Sequence, residues 1–389
     1  MIRDQETLNV LLISLSRFVR ERLMPFEAIV EETDQIPDDI VAEMKALGLF
    51  GFTIPEQYGG LGLTMEEEVM VAFELGQTSP AFRSLIGTNN GIGSQGILMD
   101  GTQAQKQYYL PRLAAGELIG SFALTEPGSG SDAASLSCSA ARDGDYYVLN
   151  GTKRYITNAP EAGIFTVMAR TDPANKGAGG ISAFIVEREA PGLTLGKRDV
   201  KMGQRGAHTC DVNFENCRVP AANLIGGKEG VGFKTAMRVL DKGRLHIAAV
   251  CVAASTRMLY DALRYAMERQ QFGKALADFQ GIQFQVAQAA TELEAARLMV
   301  YNAARLKDAG QDIAREGAMA KLFSSQMAER VTSLCVELFG GYGYTREYPV
   351  EKFYRDAKIG TIYEGTSNMQ LQTIAKLAVS HRLSAYDAS

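Results

Sequence analysis

The sequence of 389 residues contains no tryptophan and only three histidines. The histidines, His208, His246 and His381, form neither an HxxxH nor an HExxH pattern, and we therefore expect no metal site. The five cysteines form no CxxC pair, and their odd number is typical of free thiols in a reducing compartment. No GxGxxG pattern follows a predicted strand and no GxxxxGK(S/T) pattern occurs, so neither a Rossmann nor a P-loop site is expected.

The sequence also lacks a strong net charge and a long apolar run. Its formal net charge of −5 provides no global basic field that would attract nucleic acid. No apolar stretch approaches the roughly 20 residues that are needed to span a bilayer. The short apolar run at 10–15 has neither the basic region nor the cleavage site of a signal peptide. We expect a soluble cytoplasmic protein, and a mature mitochondrial matrix enzyme would look the same.

Hydrophobic patterning divides the chain into three zones. Residues 1–117 have helical periodicity, for example at Leu8, Leu11 and Leu15. Residues 118–230 contain short runs of β-branched and aromatic residues, and Asn150-Gly151 in this zone predicts a β-hairpin turn. Residues 231–389 are helical again, and their frequent small residues allow helices to pack closely.

The predicted helices and strands do not alternate along the chain. The helices are predicted at about 37–47, 65–77, 90–99, 103–114, 232–271, 279–309, 312–339, 349–358 and 367–380. The clearest strands are predicted at 146–149, 164–168 and 181–186. Because helices are followed by strands and then by helices, we exclude a doubly wound sheet and predict an α+β fold that is mostly α.

Three segments before residue 281 have residue types that suit a bound cofactor. Residues 121–132 lead a strand into a Gly/Ser loop, whose amides can bind an anion such as pyrophosphate. Residues 151–158 place Tyr155 and Thr157 on one strand face, where they can contact a flat ring system. Residues 269–280 end a helix with a cation and amide side chains, which suits phosphate contact.

Two further segments lie near the C-terminus. Residues 339–344 contain three glycines, which permit close approach of the backbone to a ligand. Ser367 and Gln370 match a capping box at the start of the last helix. Glu364 precedes this box and is a candidate general base, because an apolar pocket would raise the pKa of its carboxyl group. Each of the five segments also has an interpretation without function. In chain order these are a solvated turn, a cross-strand core pair, a helix C-cap, an interhelical turn and an exposed loop glutamate.

Together the five segments resemble the acyl-CoA dehydrogenase family. The stretch 124–132, Leu-Thr-Glu-Pro-Gly-Ser-Gly-Ser-Asp, is similar to the family's first signature, and the run 339–370 is similar to its second. Residues 54–60, Ile-Pro-Glu-Gln-Tyr-Gly-Gly, also match, so the resemblance covers nearly the whole chain. It implies an N-terminal helical domain (1–117), a middle β-barrel domain (118–230) and a C-terminal four-helix bundle (231–389).

The resemblance also implies a biochemical setting. The protein is expected to be an FAD-dependent flavoprotein oxidoreductase of fatty acid β-oxidation. A homotetramer built as a dimer of dimers is expected, with FAD between the barrel and the bundle and part of its site supplied by a neighbouring subunit. The expected partners are the acyl-CoA substrate and an electron-transferring flavoprotein, and neither nucleic acid nor a membrane span is expected.

The resemblance assigns roles residue by residue. Glu364 is the implied catalytic base. The residues expected to bind FAD are Phe122, Leu124, Thr125, Ser131, Tyr155, Thr157, Arg269, Phe272, Gln280, Gly340, Gly341, Thr366 and Asn368. The residues expected to bind the substrate are Ser131, Asp241, Arg244, Tyr363 and Gly365. Residues 87–91 and the helix after them are expected to form part of the acyl pocket.

Three positions distinguish this chain within the family pattern. Tyr155 stands where the family often has tryptophan, and Glu337 stands where glutamine is frequent before the glycine loop. Some relatives place their glutamate at the position of Gly243, whereas this chain has glycine there and glutamate at 364. That arrangement is typical of short- and medium-chain enzymes, and it argues for dehydrogenation.

The implied reaction converts a saturated short- or medium-chain acyl-CoA, straight or branched, to a trans-2-enoyl-CoA. Glu364 is expected to remove the α-proton while the β-hydride passes to flavin N5, and two hydrogen bonds to the thioester carbonyl stabilise the developing enolate. Three alternatives stay open. They are an acyl-CoA oxidase that uses O2, a dehydrogenase of carrier-protein-bound acyl groups, and a flavoprotein without catalytic activity.

Overall fold

The N-terminal region is built from seven α-helices among the residues that the structure describes. In this computed structural model residues 2–380 are described, and His381 lies outside them. Two of the helices begin with a capping box, formed by Thr64 with Glu67 and by Thr102 with Gln105. The helices are α1 (Gln5–Phe18), α2 (Glu27–Thr33), α3 (Asp38–Ala46), α4 (Met65–Leu75), α5 (Pro80–Thr88), α6 (Ser94–Asp100) and α7 (Gln103–Ala114).

The segment around α5 differs from its sequence-based prediction. A single helix at 90–99 is predicted, but the structure has α5, a π-helical turn at 89–93 and then α6. Asn89 donates its side-chain amide to the carbonyls of Phe50 and Leu113, which fixes the turn against the rest of the region. A Cβ at Gly93 would lie 2.7 Å from the carbonyl carbon of Gly120, so only glycine allows this approach.

The middle region is a curled sheet, which within residues 2–380 has seven strands. They are β1 (Gly120–Ala123), β2 (Ser139–Asp143), β3 (Tyr146–Thr157), β4 (Ile164–Arg170), β5 (Ile181–Glu187), β6 (Leu193–Leu195) and β7 (Thr209–Pro220). β4 pairs in parallel with β1 and antiparallel with β5, while β3 lies between β2 and β7. Alternate side chains of these strands, such as Tyr147, Leu149 and Phe165, form the buried core of this region.

The hairpin predicted at Asn150-Gly151 is wrong. β3 continues through these residues with a bulge between Leu149 and Gly151, and the β2–β3 turn lies at residues 144–145. Packing requires glycine at 151, because a Cβ at this position would lie 2.8 Å from the Cα of Cys138 on the neighbouring segment. A glycine beside asparagine therefore marks a bulge here and a turn in other contexts.

The C-terminal region is a helical bundle with a small hairpin. Its elements are α8 (Gly232–Glu268), β8 (Gln270–Gln271), β9 (Lys274–Ala275), α9 (Gln280–Asp308), α10 (Ala314–Phe339), α11 (Gly341–Tyr344), α12 (Val350–Ala357) and α13 (Ser367–Ser380). The long helices pack through small buried residues such as Ala248, Ala296 and Ala303. Across residues 2–380, every helix is too short or too polar to cross a lipid bilayer.

The predicted fold class is confirmed: the protein is α+β and mostly α, with a curled sheet between two helical regions. The predicted domain boundaries fall in connecting segments, between α7 and β1 and between β7 and α8. In the sequence, the strands of the sheet are therefore preceded and followed by helices. This order brings loops from all three regions to one cavity.

Candidate active site

A cavity of about 800 Å³ lies where the N-terminal helices, the curled sheet and the C-terminal bundle meet. This volume is in the range that small-molecule and cofactor sites occupy in proteins. The lining comes from α5 and the turn after it, from the strand ends of β1 and β3, from α8, and from the segment before α13. We call it the interdomain cavity.

Glu364 enters the interdomain cavity from an unusual backbone turn. Its φ is +53° and that of the following Gly365 is +87°, so two consecutive residues are left-handed. Lys321 donates from Nζ to the Gly365 carbonyl at 2.6 Å, and Gln370 donates to the carbonyls of Glu364 and Gly365 at 3.1 and 2.9 Å. These bonds hold a conformation that a glutamate rarely adopts, which is frequent at functional sites.

The electrostatics of Glu364 suit a general base. Its Oε2 atom is buried and has no hydrogen-bond partner among residues 2–380. Burial raises the pKa of the carboxyl to about 7, although the charges of Arg244, Arg83 and Lys321 oppose this shift. A base whose pKa lies near neutral pH combines availability with proton affinity.

Gly243 on α8 lies directly against this carboxylate. A Cβ built at Gly243 would lie 2.8 Å from Oε2 and 3.0 Å from Oε1 of Glu364. The two positions at which the family resemblance places a glutamate are therefore neighbours in space. Glycine at 243 leaves the room that the Glu364 carboxylate occupies.

Six of the residues expected to bind FAD line the interdomain cavity. They are Phe122, Leu124, Thr125, Ser131, Tyr155 and Thr157. A second bulge in β3, between Lys153 and Ile156, gives Tyr155 a φ of +59° and turns its ring outward, where it is 61% exposed. The buried Lys153 donates to the Leu124 carbonyl and to Glu126, which ties the loop after β1 to β3.

The chemistry of this wall fits FAD. An exposed aromatic ring, Tyr155, and the hydroxyls of Thr125, Ser131 and Thr157 suit a flat ring system with many acceptors. In the loop 124–132, a Cβ at Gly128 or Gly130 would meet no atom within 4 Å, so this backbone is open to a phosphate group.

A second group of expected FAD residues lies apart from the interdomain cavity. Arg269, Gly340 and Gly341 line a separate cavity of about 700 Å³, together with Glu337. Phe272, at the tip of the β8–β9 hairpin, is 94% exposed and lies in neither cavity. Gln280, the first residue of α9, is exposed and also lies outside both. The expected FAD residues of this chain are therefore not all in one place.

The residues expected to bind substrate are mostly present in the interdomain cavity. Ser131, Arg244, Tyr363 and Gly365 line it. Asp241 does not, and it instead accepts a hydrogen bond at 2.8 Å from Nη1 of Arg244, whose position it fixes.

The start of α13 corrects one prediction. The capping box of Ser367 and Gln370 is wrong, because Thr366 is the residue whose hydroxyl accepts from the backbone N–H of Met369 at 3.3 Å. Gln370 instead reaches back to the carbonyls before the helix. Thr366 therefore caps the helix rather than lining the interdomain cavity, and Asn368 is exposed outside it.

Several charged or titratable residues of the cavity are absent from the sequence-based predictions, and four of them lie close together. They are Glu68, Arg83, Lys242 and His246, and all four are at least largely buried. One sequence signal could have identified Arg83, since it is the single charged residue between Glu74 and Asp100. His246 is interpreted from the sequence as an isolated structural histidine, and its neighbours become visible only in the fold.

Comparison with known proteins agrees with these findings. The family models of the acyl-CoA dehydrogenase N-terminal, middle and C-terminal domains match residues 5–117, 121–217 and 230–378. The chain is 43% identical over 363 residues to the mitochondrial short/branched chain specific acyl-CoA dehydrogenase of Rattus norvegicus, which covers 93% of this chain and 83% of that protein.

Two solved structures have nearly the same fold. Butyryl-CoA dehydrogenase from Megasphaera elsdenii superposes with a TM-score of 0.92 at 37% identity, over 97% of this chain and 100% of that chain. A structure described as an electron transferring flavoprotein of Acidaminococcus fermentans contains a chain with a TM-score of 0.92 and 39% identity, over 97% of this chain and 99% of that chain. The chain belongs to the acyl-CoA dehydrogenase family and is an FAD-dependent oxidoreductase.

Proposed function

We propose that this protein dehydrogenates a saturated short- or medium-chain acyl-CoA, straight or branched, to the trans-2-enoyl-CoA, with Glu364 as the base that removes the α-proton. The observation that carries the proposal is the buried Oε2 of Glu364, which has no hydrogen-bond partner among residues 2–380, on a carboxyl whose pKa is raised to about 7. Bound FAD supplies a hydride acceptor for the β-hydrogen. The name of the rat relative, a short/branched chain enzyme, supports the proposed substrate range.

The backbone around Glu364 supports a role in binding the thioester. The Glu364 N–H donates to no group among residues 2–380, so it is available to the thioester carbonyl. A fixed N–H beside the base stabilises the negative charge that develops on this oxygen as the proton leaves. Arg244 lines the same cavity with a buried Nε that has no partner among these residues, and we assign it to substrate binding.

We also propose how the enzyme is assembled and reoxidised. A homotetramer would bring the residues around Arg269 and Gly340 of one subunit to the FAD of another, which accounts for their distance from the interdomain cavity. An electron-transferring flavoprotein is the proposed electron acceptor, and the likeness to a chain in the Acidaminococcus structure supports it.

The first test is an anaerobic titration of the FAD-loaded enzyme with acyl-CoAs of different chain length, followed by the absorbance of oxidised flavin. Bleaching by one chain-length class supports dehydrogenation and identifies the substrate. Failure of every acyl-CoA with FAD bound contradicts the proposal, and bleaching by an acyl-carrier protein would then favour a carrier-bound substrate. Rapid peroxide formation in air without an acceptor protein would favour an oxidase.

Glu364→Gln tests the base directly. Because the amide cannot accept the proton, we expect flavin reduction to slow by at least about 100-fold, with FAD still bound. Glu292→Gln on α9 is the matched control, since Glu292 pairs with Arg330 away from the cavity. A Glu364→Gln enzyme that reduces its flavin at a comparable rate would exclude Glu364 as the base.

A further inference from the structure

Tyr155 is an exposed aromatic residue in an unusual backbone conformation. It is 61% exposed, lines the interdomain cavity and has a φ of +59° in the second bulge of β3. A left-handed conformation is uncommon for a bulky residue, and it persists only where the surrounding contacts determine it. A strained aromatic residue beside a cavity is typical of a functional position.

Arg154, the preceding residue, covers one face of the Tyr155 ring. The Cζ atom of Arg154 lies 4.5 Å from the ring centroid, which is a cation–π contact. The backbone N–H of Arg154 donates to the Thr125 carbonyl at 2.8 Å, so the bulge is also tied to the loop after β1. Because one face of the ring is occupied within the chain, a ligand in the cavity can meet only the other face or the ring edge.

Two carboxylates hold the guanidinium in this place. Nη1 of Arg154 donates to Oδ1 of Asp211 on β7 at 2.8 Å, and Nη2 lies 3.2 Å from Oδ1 of Asp199. Asp199 is held in turn, because its Oδ2 accepts a hydrogen bond from the Thr209 hydroxyl at 2.8 Å. Exposed ion pairs contribute little to stability, but a guanidinium between two partly buried carboxylates has a fixed position.

The same sheet contains a comparable stack away from the cavity. The Cζ atom of Arg218 on β7 lies 4.6 Å from the ring centroid of Tyr146, and Arg218 pairs with Asp143 at 3.0 Å. Tyr146 lies in a regularly paired part of β3, and neither it nor Arg218 lines the interdomain cavity. The pair of Arg154 and Tyr155 differs in its bulge, in its second carboxylate and in its place at the cavity wall.

We propose that Arg154 is a positioning residue for the cofactor, which fixes the Tyr155 ring so that its free side packs against the flat ring system of FAD. A mobile side chain has to be ordered when a ligand binds, and this ordering weakens the affinity. Arg154 orders the ring before FAD arrives, and it acts through Tyr155. The proposal rests on the proposed function in one respect, the placement of the FAD ring system against this wall.

A double-mutant cycle on FAD affinity tests whether Arg154 acts through Tyr155. The Kd for FAD is measured on FAD-stripped wild type, Arg154→Ala, Tyr155→Ala and the double variant. Bound FAD would shield the stack from water, where cation–π contacts are stronger, so we expect Arg154→Ala to raise the Kd about 10-fold. In the Tyr155→Ala background the same substitution should change the Kd by less than about twofold.

The alternative is that Arg154 acts on FAD directly or through the fold, since Arg154 itself lines the cavity. An equal loss of affinity in both backgrounds would support that alternative and overturn the proposal. Should Arg154→Ala fail to fold, Arg154→Gln, which keeps an amide donor for the carboxylates, takes its place in the cycle.

Two further variants separate positioning from a general effect on the sheet. Arg154→Lys keeps a cation that can stack on the ring but lacks the planar guanidinium, so it should restore part of the affinity. Arg218→Ala removes the comparable stack on Tyr146 and is the matched control, which should leave the Kd for FAD unchanged. An equal rise of the Kd in Arg218→Ala, or no recovery in Arg154→Lys, would contradict the role of Arg154.

Failure of this proposal is distinguishable from failure of the proposed function. If acyl-CoAs reduce the wild-type flavin but the Kd for FAD is the same in wild type and Arg154→Ala, the proposed function stands and the role of Arg154 is overturned. If no acyl-CoA reduces the flavin but the cycle shows the expected coupling, the proposed function fails and the role of Arg154 stands.

Discussion

Glu364 combines an unfavourable backbone conformation with a buried carboxylate. A positive φ at a residue other than glycine costs of order 1 kcal/mol, and burial of the charge adds to this. Lys321 and Gln370 donate hydrogen bonds to the backbone carbonyls of Glu364 and Gly365, and these bonds offset the cost of the turn. The result is a base whose direction into the cavity is set before substrate arrives.

The pH dependence of flavin reduction should report the pKa of Glu364. The carboxylate must be ionised to accept the α-proton, and burial raises its pKa to about 7. We therefore expect kcat/KM to rise with pH, about tenfold per pH unit below 7, and to become constant above it. Stopped-flow reduction over a pH series measures this. A midpoint close to 4.5 would mean that the carboxylate is solvated, contrary to the structure.

Gly243→Ala should disturb the base from the opposite side. The added Cβ would lie 2.8 Å from Oε2 of Glu364, which is closer than a carbon and an oxygen tolerate. We expect the carboxylate to move and flavin reduction to slow by about 10-fold or more, with little change in overall stability. Gly317→Ala on α10 is a matched control, because its Cβ would meet no atom closer than 3.8 Å. Equal rates in the two variants would contradict the packing at Gly243.

At the scale of elements, the loop after β1 depends on a buried ion pair with β3. Nζ of Lys153 lies 2.8 Å from Oε1 of Glu126, and both side chains are almost fully buried. Glu126 also accepts from the backbone N–H groups of Ser137 and Cys138. The pair therefore links three chain segments beneath the proposed flavin wall.

Breaking this pair should be costly, because one charge would stay buried without its partner. We expect Lys153→Met to lower the free energy of unfolding by about 3–5 kcal/mol and to weaken FAD retention. The double variant Glu126→Gln with Lys153→Met should lose less than the single variants combined, because no buried charge is left. Thermal or chemical unfolding of the three variants measures the coupling, and simple additivity would show that the pair is not coupled.

At the scale of the whole molecule, the C-terminal region exposes several large apolar side chains. Phe272 is 94% exposed at a hairpin tip, and Phe284 and Leu298 on α9 are 64% and 57% exposed. Large apolar side chains exposed to this extent are typical of a protein interface. Phe272 follows Arg269, which lines the second cavity together with Gly340, by three residues.

Phe272→Ser should therefore weaken both assembly and cofactor binding. If the hairpin tip contacts a second subunit, loss of the ring should shift the protein towards smaller species and raise the Kd for FAD. Sedimentation velocity and FAD titration of the apoprotein measure the two effects. Tyr108→Ser on α7, an aromatic that is 55% exposed, is the control. A wild-type monomer that binds FAD stoichiometrically would contradict the shared site.

The limits of sequence-based prediction are visible at particular residues. The order of helical and strand regions and the identity of Glu364, Tyr155 and Thr157 follow from local periodicity and short motifs, and these residues do line one cavity. The bulge at Gly151, the helix α5 and the cap at Thr366 do not follow from them. In each case a contact with a distant segment decides the conformation, and local sequence preferences contain no information about that contact.

The sequence by itself determined the fold class, because hydrophobic periodicity is a property of neighbouring residues. It also indicated a glutamate between an aromatic residue and a glycine, at the start of the last helix. Only the tertiary structure decided that Gly243 and Glu364 meet and that Arg83 is buried beside His246. Proximity between α5, α8 and the segment before α13 depends on the packing of three regions, and burial is what changes the chemistry of the charged groups there.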